Sequence, residues 1–318
     1  MTTTLTPPES PTGGQAPAPL SRSERKRLSK GARQEEHLGW MLCAPAVIVM
    51  VAVAAFPMGY AIYLSFQRYS LRFPNLAKWV GLNNYGAVLG SKFWWQAFLI
   101  TVIITVISVA LEFVLGMAFA MLMHKTLVGK GFMRTLILIP YGLVTVVAAY
   151  GWQYAWTPST GYLAKYLLSS TAAPLTHTGT SIALIILAEV WKTTPFMALL
   201  LLAGLSLVSE DLLAAARMDG ASAWQRFIRI TLPLMKPAIL VAVLFRTLDA
   251  FRVFDNIFIL TGGANNTASV SFLAYNNLFK ALNLGLGSTV SVLIFIAVAI
   301  IAFIFVKLFG AAAPGSEA

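Results

Sequence analysis

The sequence predicts an all-α membrane protein with six transmembrane helices. Of its 318 residues, 58% are apolar and 11% are charged, whereas a soluble domain is about 45–50% apolar and about 25% charged. Three long stretches, 38–66, 135–164 and 281–306, contain no charged side chain. A helix crosses a bilayer with about 20 apolar residues, and these stretches lack the alternation of a membrane β-strand. The composition therefore excludes a soluble globular protein, a disordered chain and a disulfide scaffold.

The six spans follow from the apolar stretches and from the aromatic side chains at several of their ends, where tryptophan and tyrosine favour the membrane interface. They are predicted at 39–66, 95–123, 135–156, 181–206, 237–260 and 286–308. They form a membrane domain over 38–310. A Pro/Ser/Thr-rich and then basic segment, 1–37, is expected to be a disordered cytoplasmic tail, and 311–318 a second cytoplasmic tail.

The chain carries 23 Lys and Arg residues against 12 Asp and Glu residues, a balance that can indicate nucleic-acid binding. Here most basic residues outside the spans fall on one predicted side of the bilayer, as the positive-inside rule requires. We therefore expect a multi-pass plasma-membrane protein with both termini cytoplasmic and no nucleic-acid partner. The single cysteine, Cys43, allows no intrachain disulfide, and no metal site is expected.

Ionisable side chains inside spans are rare and indicate function by default. At about 1.5 Å per residue, those of spans four and five cluster near the middle of a hydrocarbon core about 30 Å thick. They could pair along their own helices, as Glu189 with Lys192 and Arg246 with Asp249, or line a solute path. The predicted path comprises Glu189, Lys192, Arg246, Asp249, Arg252, Asp255 and Asn256. Glu112, near the predicted inner end of span two, is interpreted as structural.

The cytoplasmic segment 209–233 is predicted to form two short helices. The first extends from a Ser209 cap to Gly220, since glycine suits the left-handed position after a helix. Ser222 and Gln225 have capping-box spacing at the start of the second, which ends near Pro233. An apolar stripe on the second helix is compatible with packing on the membrane surface or with docking in a partner's groove.

This segment resembles the EAA loop of binding-protein-dependent ABC importers. The family pattern is Glu-Ala-Ala, three residues, Gly, nine residues, Ile, one residue and Leu-Pro. The chain matches it at 214–216, Gly220, Ile230 and 232–233, except that Ala214 replaces Glu. Stretches at 81–85, 134–140, 191–196 and 254–263 resemble the sugar-permease branch of the maltose-transporter type.

The resemblance implies a permease subunit that forms half of a sugar pathway, with trehalose or another disaccharide as the expected solute. It implies a second permease, two copies of a cytoplasmic ATPase and an extracytoplasmic sugar-binding protein as partners. ATP and Mg would be bound by the ATPase, because Gly129-Lys130 lacks the rest of a Walker A sequence. The residues implied at the ATPase contact are Ala214, Ala215, Ala216, Asp219, Gly220, Ile230, Leu232 and Pro233.

Three alternatives stay open at this point. A stand-alone secondary transporter would use the intramembrane charges as an ion relay, but it leaves the EAA-like segment unexplained. An intramembrane enzyme would need a nucleophile–base pair or metal ligands, and neither is evident, so no catalytic residues are predicted. Within the family, the solute could instead be glycerol phosphate or another polyol.

Overall fold

A computed structural model of the chain describes residues 22–125, 129–168 and 173–310. These residues divide at Gly59 into two units. The helices and strands, in chain order, are α1 (Arg22–Ser65), β1 (Gln67–Arg68), β2 (Lys78–Trp79), α2 (Asn83–Leu89), α3 (Lys92–Lys125), α4 (Lys130–Gly142), α5 (Thr145–Ala155), α6 (Thr178–Leu205), α7 (Glu210–Met218), α8 (Ala223–Arg226), α9 (Leu232–Leu234), α10 (Lys236–Ala250), α11 (Asp255–Leu260), α12 (Val270–Tyr275) and α13 (Leu284–Gly310).

The first unit consists of α1 up to Gly59. Its side chains from Leu38 onward are mostly apolar and exposed, as a lipid-facing helix requires. The backbone from Arg22 to His37 is also helical, where the sequence predicted disorder. Arg, Lys, Glu and Leu are good helix formers, which accounts for the difference. Residues 1–21 and 311–318, the rest of the predicted tails, lie outside the described residues.

Four helices of the described chain are long and apolar enough to cross a membrane. They are His37–Ser65, Lys92–Lys125, Thr178–Leu205 and Leu284–Lys307. The predicted span 135–156 corresponds to a bent helix pair, Gly131–Gly142 and Thr145–Ala155, with an angle of 87° between them. The predicted span 237–260 lies within Lys236–Leu260, which makes an angle of 70° with the preceding Ala223–Leu234. The fold is therefore α-helical with four to six spans, and the number six stays a prediction.

Both of these predicted spans are interrupted in their backbone. Leu143 and Val144 are extended between α4 and α5. The predicted span 237–260 ends as α10 at Ala250 and resumes as α11 only at Asp255. At the second break, the ring of Phe254 packs against Phe258 and Tyr275. These breaks correct the prediction of continuous helices.

The core of the second unit lies between α3, α6 and α10. Small side chains permit the close approach of these helices. A Cβ added at Gly116 of α3 would lie 2.8 Å from Met197 of α6, and one added at Gly204 of α6 would lie 2.4 Å from Ala238 of α10. The faces in contact also bury Thr, Glu and Arg side chains, and the functional site is built on those polar positions.

Candidate functional site

A cavity of about 470 Å³ opens beside α6, α10 and α11. Its wall combines charged, amide, hydroxyl and aromatic side chains. The lining residues are Tyr141, Thr145, Glu189, Lys192, Thr193, Asp249, Arg252, Val253, Phe254, Asp255 and Asn256. Six of the seven predicted path residues are among them, namely Glu189, Lys192, Asp249, Arg252, Asp255 and Asn256.

The break after α10 places these side chains together. In an uninterrupted helix, at about 100° per residue, Asp255 would lie about 120° around the axis from Asp249. Because the helix stops at Ala250 and restarts at Asp255, residues on both sides of the break line the same cavity. Tyr141 and Thr145, on either side of a second break between α4 and α5, also line the cavity.

Arg246 is the predicted path residue that does not line the cavity. Its side chain is completely buried and forms ion pairs with Glu112, Glu189 and Asp249. The guanidinium donates Nε to Glu112 Oε2 at 2.5 Å and Nη2 to Glu112 Oε1 at 3.0 Å. It also donates Nη2 to Glu189 Oε1 and Nη1 to Asp249 Oδ2, both at 2.8 Å. Arg246 thus joins α3, α6 and α10 from behind the wall.

Glu112 was interpreted from the sequence as structural, and its direct link to the path residues was missed. The Thr193 hydroxyl donates to Glu112 Oε1 at 2.8 Å, so both carboxylate oxygens are hydrogen-bonded. The length of α3 could have revealed the link. At about 1.5 Å per residue, Glu112 lies about 20 Å from the C-terminal end of α3, and Arg246 lies about 15 Å from the N-terminal end of α10.

The two ion pairs expected along single helices have different outcomes. Arg246 and Asp249 are paired at 2.8 Å, while the Asp249 side chain is still 64% exposed. Asp249 therefore pairs and lines the cavity at once. Among the described residues, all ion pairs involve Arg246, so Glu189 and Lys192 do not form one. The Lys192 ammonium lies 5.7 Å from the centre of the Tyr141 ring instead.

The segment 209–233 forms the predicted pair of short helices. Gly220 adopts φ +80°, a left-handed conformation that strains other residues, and it separates α7 from α8. Ser222 and Gln225 form the predicted capping box. The prediction that the second helix ends near Pro233 holds approximately, since the backbone stays helical through α9 and turns before α10. The Ser209 side chain, in contrast, forms no capping hydrogen bond.

This pair of helices has an exposed apolar surface and a buried one. Met218 is 88% exposed and Trp224 is 70% exposed. Leu213 and Phe227 pack against the core cluster that includes Met197 of α6, and the Trp224 ring lies 5.9 Å from the Phe227 ring. Ala214, Ala215, Asp219 and Gly220 are exposed, Ala216, Ile230 and Leu232 are half-buried and Pro233 is exposed.

Comparisons with known proteins agree with this architecture. The family described as "Binding-protein-dependent transport system inner membrane component" matches residues 85–313. The chain is 62% identical over 283 residues to the trehalose transport system permease protein SugA of Mycobacterium tuberculosis, covering 89% of this chain and 92% of the relative. It is 38% identical over 284 residues to the trehalose/maltose transport system permease protein MalF of Thermococcus litoralis, covering 88% and 96%.

A solved structure shares the fold. A chain of a bacterial ABC transporter involved in the import of the acidic polysaccharide alginate superposes with a TM-score of 0.76 at 20% identity, covering 90% of this chain and 99% of that one. A second structure of a bacterial alginate ABC transporter, in complex with a periplasmic protein bound to alginate pentasaccharide, gives a TM-score of 0.76 at 19% identity.

Proposed function

Because this chain belongs to the family of inner membrane components of binding-protein-dependent transport systems, we propose that it is the permease subunit of an ATP-driven importer for trehalose or a related neutral disaccharide. Six of the seven residues predicted to line a solute path meet in one cavity, and this observation carries the proposal. The two relatives described above, a trehalose and a trehalose/maltose transport system permease protein, indicate the solute class.

The cavity wall suits a neutral, hydroxyl-rich ring. Three carboxylates, Glu189, Asp249 and Asp255, can accept hydrogen bonds from hydroxyl groups, and Lys192 and Arg252 can donate to ring or hydroxyl oxygens. Its volume of about 470 Å³ falls within the range of about 300–1,000 Å³ for small-molecule sites. Because carboxylates outnumber cations in the wall, an anion such as glycerol phosphate is disfavoured.

The segment 209–233 is proposed as the contact for the ATPase. Its exposed apolar side chains, including Met218 and Trp224, are available to a partner. Leu213 and Phe227 join it to the core between α3 and α6. A movement of the ATPase would therefore reach the spans through packed side chains, as alternating access requires. Ala214 in place of the family's Glu removes a charged contact at that position.

The complete importer would contain this chain, a second permease, two copies of the ATPase and an extracytoplasmic sugar-binding protein. ATP and Mg would be bound by the ATPase, and this chain would hold no cofactor. It is placed in the plasma membrane as a multi-pass protein, with four apolar helices among the described residues. Both termini and the segment 209–233 would face the cytoplasm, in keeping with the distribution of basic residues.

Reconstitution of the purified importer in proteoliposomes tests the proposal. With the binding protein outside and ATP inside, we expect labelled trehalose to accumulate, and excess glycerol phosphate should not compete. Omission of ATP should abolish uptake, while an uncoupler should leave it unchanged. ATP-independent uptake that the uncoupler abolishes would contradict the importer and favour a stand-alone secondary transporter.

A further inference from the structure

We propose that Arg246 and Glu112 are positioning residues for sugar transport, a role that rests on the proposed function. Neither side chain lines the cavity, and both are completely buried. Arg246 donates hydrogen bonds to two carboxylates of the path, those of Glu189 and Asp249, and Glu112 accepts hydrogen bonds from Arg246. The guanidinium of Arg246 sets the orientation in which Glu189 and Asp249 meet the solute.

The hydrogen bonds define which atoms are fixed. Glu112 accepts from two nitrogens of Arg246, and this forked contact anchors the plane of the guanidinium to α3. The donors that remain point to α6 and α10, where they hold Glu189 Oε1 and Asp249 Oδ2. Asn256 of α11 donates to the other oxygen of Glu189 at 2.5 Å. The orientation of Glu189 is thereby fixed at both oxygens.

The charges of the cluster formed by Arg246, Glu112, Glu189 and Asp249 complement this geometry. Glu112 and Arg246 neutralise one another in the protein interior, where unpaired charges are costly. Glu189 and Asp249 then keep acceptor capacity for hydroxyl groups, and the exposed side chain of Asp249 supplies it at the cavity surface. A lysine cannot replace Arg246 in this arrangement, because one ammonium lacks the planar fork that reaches three carboxylates.

Arg246→Lys tests this role in the reconstituted importer, with Arg68→Lys, at an exposed position of β1, as the matched control. We measure the yield of assembled importer, the ATPase rate stimulated by loaded binding protein, and the trehalose imported per ATP hydrolysed. A positioning defect leaves assembly and ATPase rate near wild type. It lowers the trehalose imported per ATP by about tenfold, the factor for one charge-assisted hydrogen bond. The control keeps the wild-type ratio.

Glu112→Gln is the second variant, because it keeps the shape of the side chain while removing one acceptor for the fork. It should lower the same ratio, and it decides the question if Arg246→Lys does not assemble. An unchanged ratio in an assembled variant overturns the proposal. A parallel loss of assembly, ATPase rate and uptake in both variants also overturns it, since the cluster would then only join helices. Absence of ATP-dependent uptake by the wild-type importer would contradict the proposed function instead.

Discussion

The hydroxyl of Thr193 lies between the buried charges and the backbone of α6. It is within 2.8 Å of Glu112 Oε1 and 2.6 Å of the Glu189 carbonyl oxygen. Thr193→Val removes the donor to a buried carboxylate, which should lower the free energy of unfolding by about 1–2 kcal/mol. Thermal unfolding in detergent, followed by tryptophan fluorescence, measures the change as a lower Tm.

Thr194→Val is the control for this prediction. The Thr194 hydroxyl is also buried, but it donates to the Val190 carbonyl, which lies within the same helix. Loss of this hydroxyl should change Tm much less, because the Val190 carbonyl still takes part in the backbone hydrogen bonds of the helix. Equal decreases in Tm for the two variants would show that the contact with Glu112 adds no stability.

The path residues could be predicted one by one because charge inside an apolar span is costly and conspicuous. Their depth along the helices brought Glu189, Lys192 and Asp249 to the same level. Two members of the wall, Tyr141 and Thr145, could not be predicted in this way. Both are uncharged residues of ordinary span composition, and they lie on either side of the backbone break between α4 and α5.

At the level of helices, Gly220 is the joint between α7 and α8. Its φ of +80° and the hydrogen bond from its N–H to the Arg217 carbonyl define the turn. Gly220→Pro removes the N–H and fixes φ near −65°, so the exposed face that includes Met218 and Trp224 should lose its shape. Affinity purification of the tagged importer should then recover the second permease with at least about tenfold less ATPase.

Two further variants decide whether the turn itself matters. Gly220→Asn should retain most of the ATPase, because asparagine tolerates the left-handed conformation. Gly179→Ala, near the start of α6, has free space for its Cβ and should have no effect. If Gly220→Pro retained the ATPase, the segment 209–233 would not be the coupling contact.

The helices themselves follow closely from composition, and their interruptions do not. Long apolar stretches predicted α3, α6 and α13 with shifts of a few residues. At the break after Ala250, the ring of Phe254 packs on Tyr275 of α12. Such contacts join residues from different elements, so hydrophobic periodicity within one stretch cannot reveal them.

For the whole molecule, the course of α4 and α5 decides the topology. The two helices meet at 87°, which is compatible with one broken span or with a re-entrant loop. In a Cys43→Ser background, we would introduce Lys125→Cys at the end of α3 and Thr160→Cys after α5, both at exposed positions. A span places them on opposite sides of the membrane, so an impermeant thiol reagent should label only position 160 in intact cells.

Ser222→Cys serves as the reference in the segment 209–233. Like position 125, it should be labelled only after the membrane is permeabilised. Each substituted position is exposed, so lack of labelling in intact cells reports its side of the membrane. Labelling of both 125 and 160 from the same side would make α4–α5 a re-entrant loop and reduce the number of spans. The termini would then lie on opposite sides, and the cavity wall formed by Tyr141 and Thr145 would be reached from one membrane face only.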